Sequence, residues 1–202
     1  MPSLFASIFV PPRGAADGAD LIELVDGRRV ALRPVNPQDA AAARAFVDAL
    51  SLTSRYRRFH FGLRELSPEA SRAMTEIDQQ HHVAFAARPV GSPTIVADAR
   101  YVMRADSAAA EFAIAVADDW QGAGLGRALL VRLAAHARAH GVRCLFGDVL
   151  WGNSAMIGLA RQLGAQLRRN PGDSTVVRAE FGFDLPGASP VVAPACAPVS
   201  AS

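Results

Sequence analysis

The chain has 202 residues, half of them hydrophobic and a fifth charged, with 21 basic against 19 acidic side chains. That length supports one domain with its own core. A net charge of +2 leaves no electrostatic footprint for nucleic acid, and no apolar run reaches the length of a membrane span. Every basic residue is arginine, because the sequence contains no lysine. The two cysteines, Cys144 and Cys196, imply no disulfide framework and point to a reducing compartment. The opening stretch 1–10 is mildly apolar but has no positive charge ahead of its apolar run, so it does not read as a signal peptide. The expected location is cytoplasmic.

Residues 1–19, with Pro11, Pro12, Gly14 and Gly18, read as a flexible leader, and residues 186–202, uncharged and rich in Pro, Ala, Ser and Val, as a disordered tail. The domain is expected over 20–185. It opens on two strands, 21–25 and 28–33, joined by Asp26-Gly27, a pair suited to the mirror-image turn of a hairpin. Asn36-Pro37 caps a helix running to about Leu50. Residues 51–62 read as helical or irregular, and Ser67-Pro68 opens a helix to about Ile77. Strands follow at 83–87, 94–104 and 111–117. Leu125, Leu129, Leu133 and Ala137 recur at helical spacing up to Gly141. A strand at 143–149 and a helix over 154–163, capped by Asn153 and ended by Gly164, precede two last strands at 165–169 and 175–183. This order predicts an α/β or α+β fold: a mixed sheet flanked by helices, with a strand–helix–strand crossover at residues 111–149.

The turn before the long helix carries the chemistry. A helix N-terminus has unpaired N–H groups and a partial positive charge, and glycines at its mouth let a phosphate reach that backbone. In a dinucleotide fingerprint the strand runs almost directly into the first glycine, a third glycine follows, and an acid lies about 20 residues on. Here Asp118 to Gln121 intervene, the spacing is Gly122-x-Gly124-x-Gly126, and Arg127 stands where the third glycine belongs. No Gly-Lys-Ser/Thr of a Walker loop follows. The pattern Gln121-x-x-Gly124-x-Gly126, after a strand and opening a long helix, resembles the acetyl-CoA loop of the GNAT acyltransferases. Asn153 at the start of the next helix extends that resemblance over most of 20–185. Ser54-Arg-Tyr-Arg-Arg-Phe59, Ile77-Asp78, Ala110 to Ala113, Asp119 to Gly122 and Asn153-x-x-Met156 resemble bacterial protein lysine acetyltransferases in particular.

The resemblance implies a mixed, mostly antiparallel central sheet flanked by helices and acetyl-CoA as co-substrate; no metal is expected, because no third ligand stands at useful spacing from His81-His82. It implies a cofactor site made of Gln121, Gly122, Ala123, Gly124, Leu125, Gly126 and Arg127 at the pyrophosphate. Ile114 and Val116, whose N–H groups point the same way, would pair with the pantetheine arm like a further strand, with Asn153 and Met156 on the other side. Glu111, on one face with Ala113, Ala115 and Ala117, takes the place of the general base. The competing reading of Glu111 is an ordinary solvated glutamate at a strand start. A strand N–H near Ile114 would stabilise the thioester oxygen as it gains charge. Many GNAT enzymes place a tyrosine on the helix after Asn153; the matching position here is Ala160, so no dedicated general acid is implied. Acceptors implied are a protein lysine, a small amine or a peptide N-terminus. A non-catalytic acyl-CoA-binding module is the alternative outside enzymes.

Other conspicuous residues carry less. His81-His82 point to opposite faces of a strand and read as structural or surface residues. Cys144 reads as a small core residue. Arg55, Tyr56, Arg57 and Arg58 read either as a solvated helix face or as the acceptor mouth. Without lysine, self-modification is confined to the N-terminus.

Overall fold

A computed structural model describes residues 19–183 except Asp106 and Pro171. The expected leader, apart from Ala19, and the expected tail lie outside the described residues. The elements run β1 (Asp20–Glu23), β2 (Arg29–Pro34), α1 (Ala40–Ala49), α2 (Leu52–Phe59), α3 (Pro68–Thr75), β3 (His82–Pro89), β4 (Ala97–Met103), β5 (Ala109–Val116), α4 (Leu125–Ala139), β6 (Cys144–Leu150), α5 (Ser154–Gln162), β7 (Gln166–Arg169) and β8 (Val176–Gly182). One eight-stranded sheet has the order β1-β2-β3-β4-β5-β6-β8-β7. Neighbours are antiparallel throughout, except that β5 and β6 run parallel with α4 as their crossover. The expected order of strands and helices holds, with ends displaced by up to two or three residues.

Local chemistry explains the connections. Gly27 takes φ 80 in the first hairpin, the left-handed backbone that a side chain resists. Asn36 accepts from Gln38 N–H at 3.1 Å while Asp39 accepts from Asn36 N–H at 3.0 Å, closing the cap of the turn before α1. Asp39 is buried, and Arg33 and Arg88 both pair with it. Left-handed Gly141 and Gly164 end α4 and α5.

Two cores sandwich the sheet. One face, with Phe85, Tyr101, Phe112 and Phe181, packs on Leu125, Leu129, Leu130, Leu133 and Ala137 of α4 and on Ile157 and Ala160 of α5. The other, with Ala84, Ala86 and Ala115, packs on Phe46 and Val47 of α1 and on Leu50 and Leu66. Small residues on this second face let α1 to α3 lie close to the strands.

At the far end of α4, Tyr101 Oη and His136 Nδ1 are 3.0 Å apart, and the His136 and His140 rings stack at 3.9 Å. Burial, reinforced by His140 and Arg132, pushes His136 down to about 4. An unfolded histidine protonates near 6.5. Between those values the unfolded chain binds the extra proton, so stability falls as pH drops from about 6.5 to about 4 and levels off below. In urea titrations from pH 7 to pH 4, His136→Gln is expected to lose less stability than the wild type; equal losses in the two proteins would show that His136 does not carry the effect.

Candidate active site

The sheet opens at its centre. β5 pairs with β6 only through Ala109, Ala110 and Glu111 against Cys144, Leu145 and Phe146; beyond Glu111 the two strands part. Gly147 stands where they separate. A Cβ there would lie 2.9 Å from two atoms of the Phe112 ring and 3.0 Å from the Phe112 carbonyl oxygen, so the close crossing admits no side chain. The ladder to β4 fixes which backbone groups face the gap. Ala117 N–H donates to Val96 O at 2.9 Å, on the β4 side. By alternation, the N–H groups of Ile114 and Val116 point into the opening. The result is a cleft of about 660 Å³ that passes through the sheet, with Gly124, Gly126, Met156 and Leu159 at one end and Glu111, Ala113, Arg57 and His60 at the other.

The glycine loop is built for close approach. Gly122 and Gly124 take φ 76 and φ 89, and the first hydrogen bond of α4 is Ala128 N–H to Gly124 O at 3.1 Å. The N–H groups ahead of Ala128 are therefore not consumed by the helix, and Gly124 as N-cap brings no side-chain acceptor for them. Gln121, Gly122, Gly124, Gly126 and Arg127 line the cleft. Ala123 and Leu125 do not: their side chains are buried in the core, so they can act only through their backbone. The first hairpin braces the loop from outside. Val25 N–H donates to Ala123 O at 3.2 Å, and Arg28 donates to Asp119 O at 3.0 Å while its guanidinium lies 4.0 Å from the Trp120 ring centre.

Asn153 caps α5, its Oδ1 accepting from Met156 N–H at 3.2 Å. Because the cap needs an acceptor, the oxygen faces the helix and the amide NH₂ is turned away from it. Both Asn153 and Met156 line the cleft. Ala160 does not. It is fully buried among core residues, and the α5 residues on the cleft are Ala155, Met156, Leu159 and Gln162. None of these four cleft positions carries an acid or a phenol, and Ala160 itself offers no proton donor.

On the other side, Glu111 is exposed at the head of the gap. Asp148, also on the cleft, is held by Arg178 through two bonds of 2.9 Å. The Arg178 pKa is raised, first by that pair and further by Glu111 and Glu180. The α2 helix covers this end, pinned to the start of the loop through Asp118. Asp118 accepts from Ser51 N–H (2.9 Å), Ser51 Oγ (2.8 Å) and Ser54 Oγ (2.7 Å). Burial works against the Asp118 charge, but these bonds outweigh it and hold its carboxyl below the usual range. The Gln121 side chain donates to Ser54 Oγ at 3.2 Å and Val116 O at 3.0 Å, tying loop, strand and α2 together.

The arginines of α2 divide. Arg55 belongs neither to a solvated face nor to the mouth: it is 8% exposed and donates to the carbonyls of Asp48 and Leu50, each at 2.9 Å, and to Arg64 O. Arg57 and Arg58 line the cleft. His81 is exposed beside Asp78, and His82 is half-buried against Arg100, in keeping with the structural reading. Cys144 is buried in β6, where the sequence reading placed it as a small core residue. Among the described residues no cluster of His, Cys, Asp or Glu could hold a metal ion, and no helix is long and apolar enough to cross a membrane.

A split sheet with a glycine-capped helix on one side of the gap and a carboxylate on the other defines a class: transferases that take an acyl group from coenzyme A. Residues 50–165 match the family described as acetyltransferase (GNAT). The chain is 35% identical over 166 residues to Acetyltransferase PA5475 of Pseudomonas aeruginosa, covering 81% of this chain and 89% of that one. It is 31% identical over 145 residues to Acetyltransferase Pat of Mycolicibacterium smegmatis, covering 71% of this chain and 43% of that relative, so it spans less than half of it. The crystal structure of the GNAT domain of S. lividans PAT is similar with a TM-score of 0.76 at 30% identity, covering 85% of this chain and 100% of that one. The chain belongs to the GNAT acetyltransferase family and is an acetyl-CoA-dependent N-acetyltransferase.

Proposed function

We propose that the chain transfers the acetyl group to a lysine of a protein, by direct attack of the amine with Glu111 as general base. The observation that carries this reading is the through-sheet cleft, with the glycine loop at one end and Glu111 exposed at the other. In it, the N–H groups of Gly122 to Gly126 hold the pyrophosphate, aided by the Arg127 charge, while Gln121, its own N–H bonded to Asp118 O, holds the loop to β5 through its side chain. The N–H groups of Ile114 and Val116 take the carbonyls of the pantetheine arm as a missing strand would. The Asn153 NH₂ and the Met156 side chain close on it from α5. The acetyl group then lies beside β5 near Glu111.

A lysine rests near pKa 10.4 and must lose a proton to attack. Glu111 takes that proton, directly or through a water. The amine nitrogen adds to the thioester carbon, and a strand N–H near Ile114 stabilises the oxygen as it becomes negative. Collapse breaks the carbon–sulfur bond and expels the thiolate of coenzyme A, whose modest basicity lets it leave without an acid from α5 and which takes up, directly or through water, the remaining extra proton of the amide nitrogen. The exposed Glu111 end of the cleft suits a side chain entering from a protein surface.

Incubation with acetyl-CoA and host-cell lysate, followed by mass-spectrometric mapping, is expected to show new acetyl-lysines on defined proteins. Modification of small amines alone, with no lysine modified, would move the acceptor to the small-molecule class. Acetyl-CoA binding with no acceptor of either kind would favour a binding module.

A further inference from the structure

The Glu111 end of the cleft holds more positive charge than its ion pairs neutralise. Arg58 lines the cleft with a side chain 13% exposed, and its recorded carboxylate contact is Asp98 Oδ1 at 4.0 Å. That carboxylate is already engaged by Arg100 through two bonds of 2.9 and 2.7 Å. Arg100 also reaches Met74 O at 3.1 Å and His82 Nε2 at 3.3 Å. A guanidinium can only donate, so that ring nitrogen accepts and His82 is neutral. Two guanidinium groups thus share one carboxylate, and one positive charge is left over. Arg58 is the member of the cluster that faces the cleft. A guanidinium drawn out of water without a close counter-charge is costly to keep. Arg178, on the β8 side, is already matched to Asp148.

The wall therefore offers a free carboxylate, Glu111, for a cation and a guanidinium, Arg58, for an anion. We propose that Arg58 receives a carboxylate carried by the acceptor beside its reacting amine, so that the preferred lysine is one flanked by Asp or Glu. This rests on reading the Glu111 end as the acceptor side. Arg58 is here a specificity-determining residue, and its guanidinium plane allows the two-pronged contact that a carboxylate matches.

The test compares two pairs of amines under saturating acetyl-CoA: a lysine peptide with Glu or Gln beside the lysine, and 4-aminobutyrate against butylamine. The wild type is expected to favour the acidic member by about tenfold in kcat/KM, carried mainly by KM, as fits one charged hydrogen-bonded contact. Arg58→Met is expected to abolish that preference and Arg58→Lys to keep part of it, with acetyl-CoA affinity measured alongside to confirm a folded protein. A preference seen only in the peptide pair assigns the carboxylate to a polypeptide neighbour; one seen only in the second pair assigns it to a free amino acid. Equal turnover of acidic and neutral members by the wild type, a readout that needs no variant, overturns the role of Arg58 while leaving the acetyl transfer intact. So does a preference that survives in Arg58→Met. Failure to acetylate any of the four amines overturns it together with the acceptor reading.

Discussion

Replacing Glu111 by glutamine is expected to lower kcat by about a hundredfold or more, the usual scale of a positioned general base, while acetyl-CoA binds as before. Glutamine keeps the size of the side chain and removes only its basicity. Glu111 is the last β5 residue paired with β6, opposite Phe146, so its backbone is fixed by strands on both sides while its side chain is exposed. It shares its face with Ala113 and Ala115, which leave room for an acceptor. The glycine loop begins ten residues later in the chain, which is why donor binding and proton removal should separate. Steady-state rates with titration of acetyl-CoA affinity would check this. In the variant the remaining rate should climb with pH, since bulk water then supplies the neutral amine. An unchanged kcat would remove Glu111 from the mechanism.

Features encoded within one element or turn were legible in the sequence. The leucines of α4 recur at helical spacing and all are buried; Asp26-Gly27 forms its hairpin; Asn153 caps α5; the crossover encloses the glycine loop. Contacts between distant segments were not legible. Asp118 looks like a spacer residue, yet its partners are Ser51 and Ser54, more than sixty positions away. The α2 helix is short and polar, and the residues it buries are Ser54 and Arg55, so no apolar stripe announces it. Arg55 is indistinguishable by type from Arg57 and Arg58, but it alone turns inward to carbonyls left open by the chain around it. The need for glycine at 147 comes from Phe112, which only the fold brings against it.

The glycine loop gives the second large effect, because its two central glycines are required for different reasons. Gly124 takes φ 89, where a β-branched side chain is a genuine outlier, and a Cβ there would also lie 3.8 Å from Val25 Cγ1. Gly126 has ordinary helical backbone, and a Cβ would meet Leu159 and Val116 at 3.7 and 3.8 Å, which is normal contact. Gly124→Val should therefore force the turn open, costing about 1–3 kcal/mol of stability. It should also pull the N–H groups at the start of α4 out of register with the pyrophosphate, weakening acetyl-CoA binding by about tenfold or more. Gly126→Ala should do neither; its higher helix propensity raises stability by up to about 1 kcal/mol. Calorimetric titration of acetyl-CoA and urea denaturation of both variants would separate the two effects. If Gly124→Val binds acetyl-CoA as tightly as the wild type, the left-handed turn is not what presents the helix N-terminus to the phosphates; if Gly126→Ala loses binding, the space beside Gly126 is occupied by the donor and its glycine serves the ligand rather than the backbone.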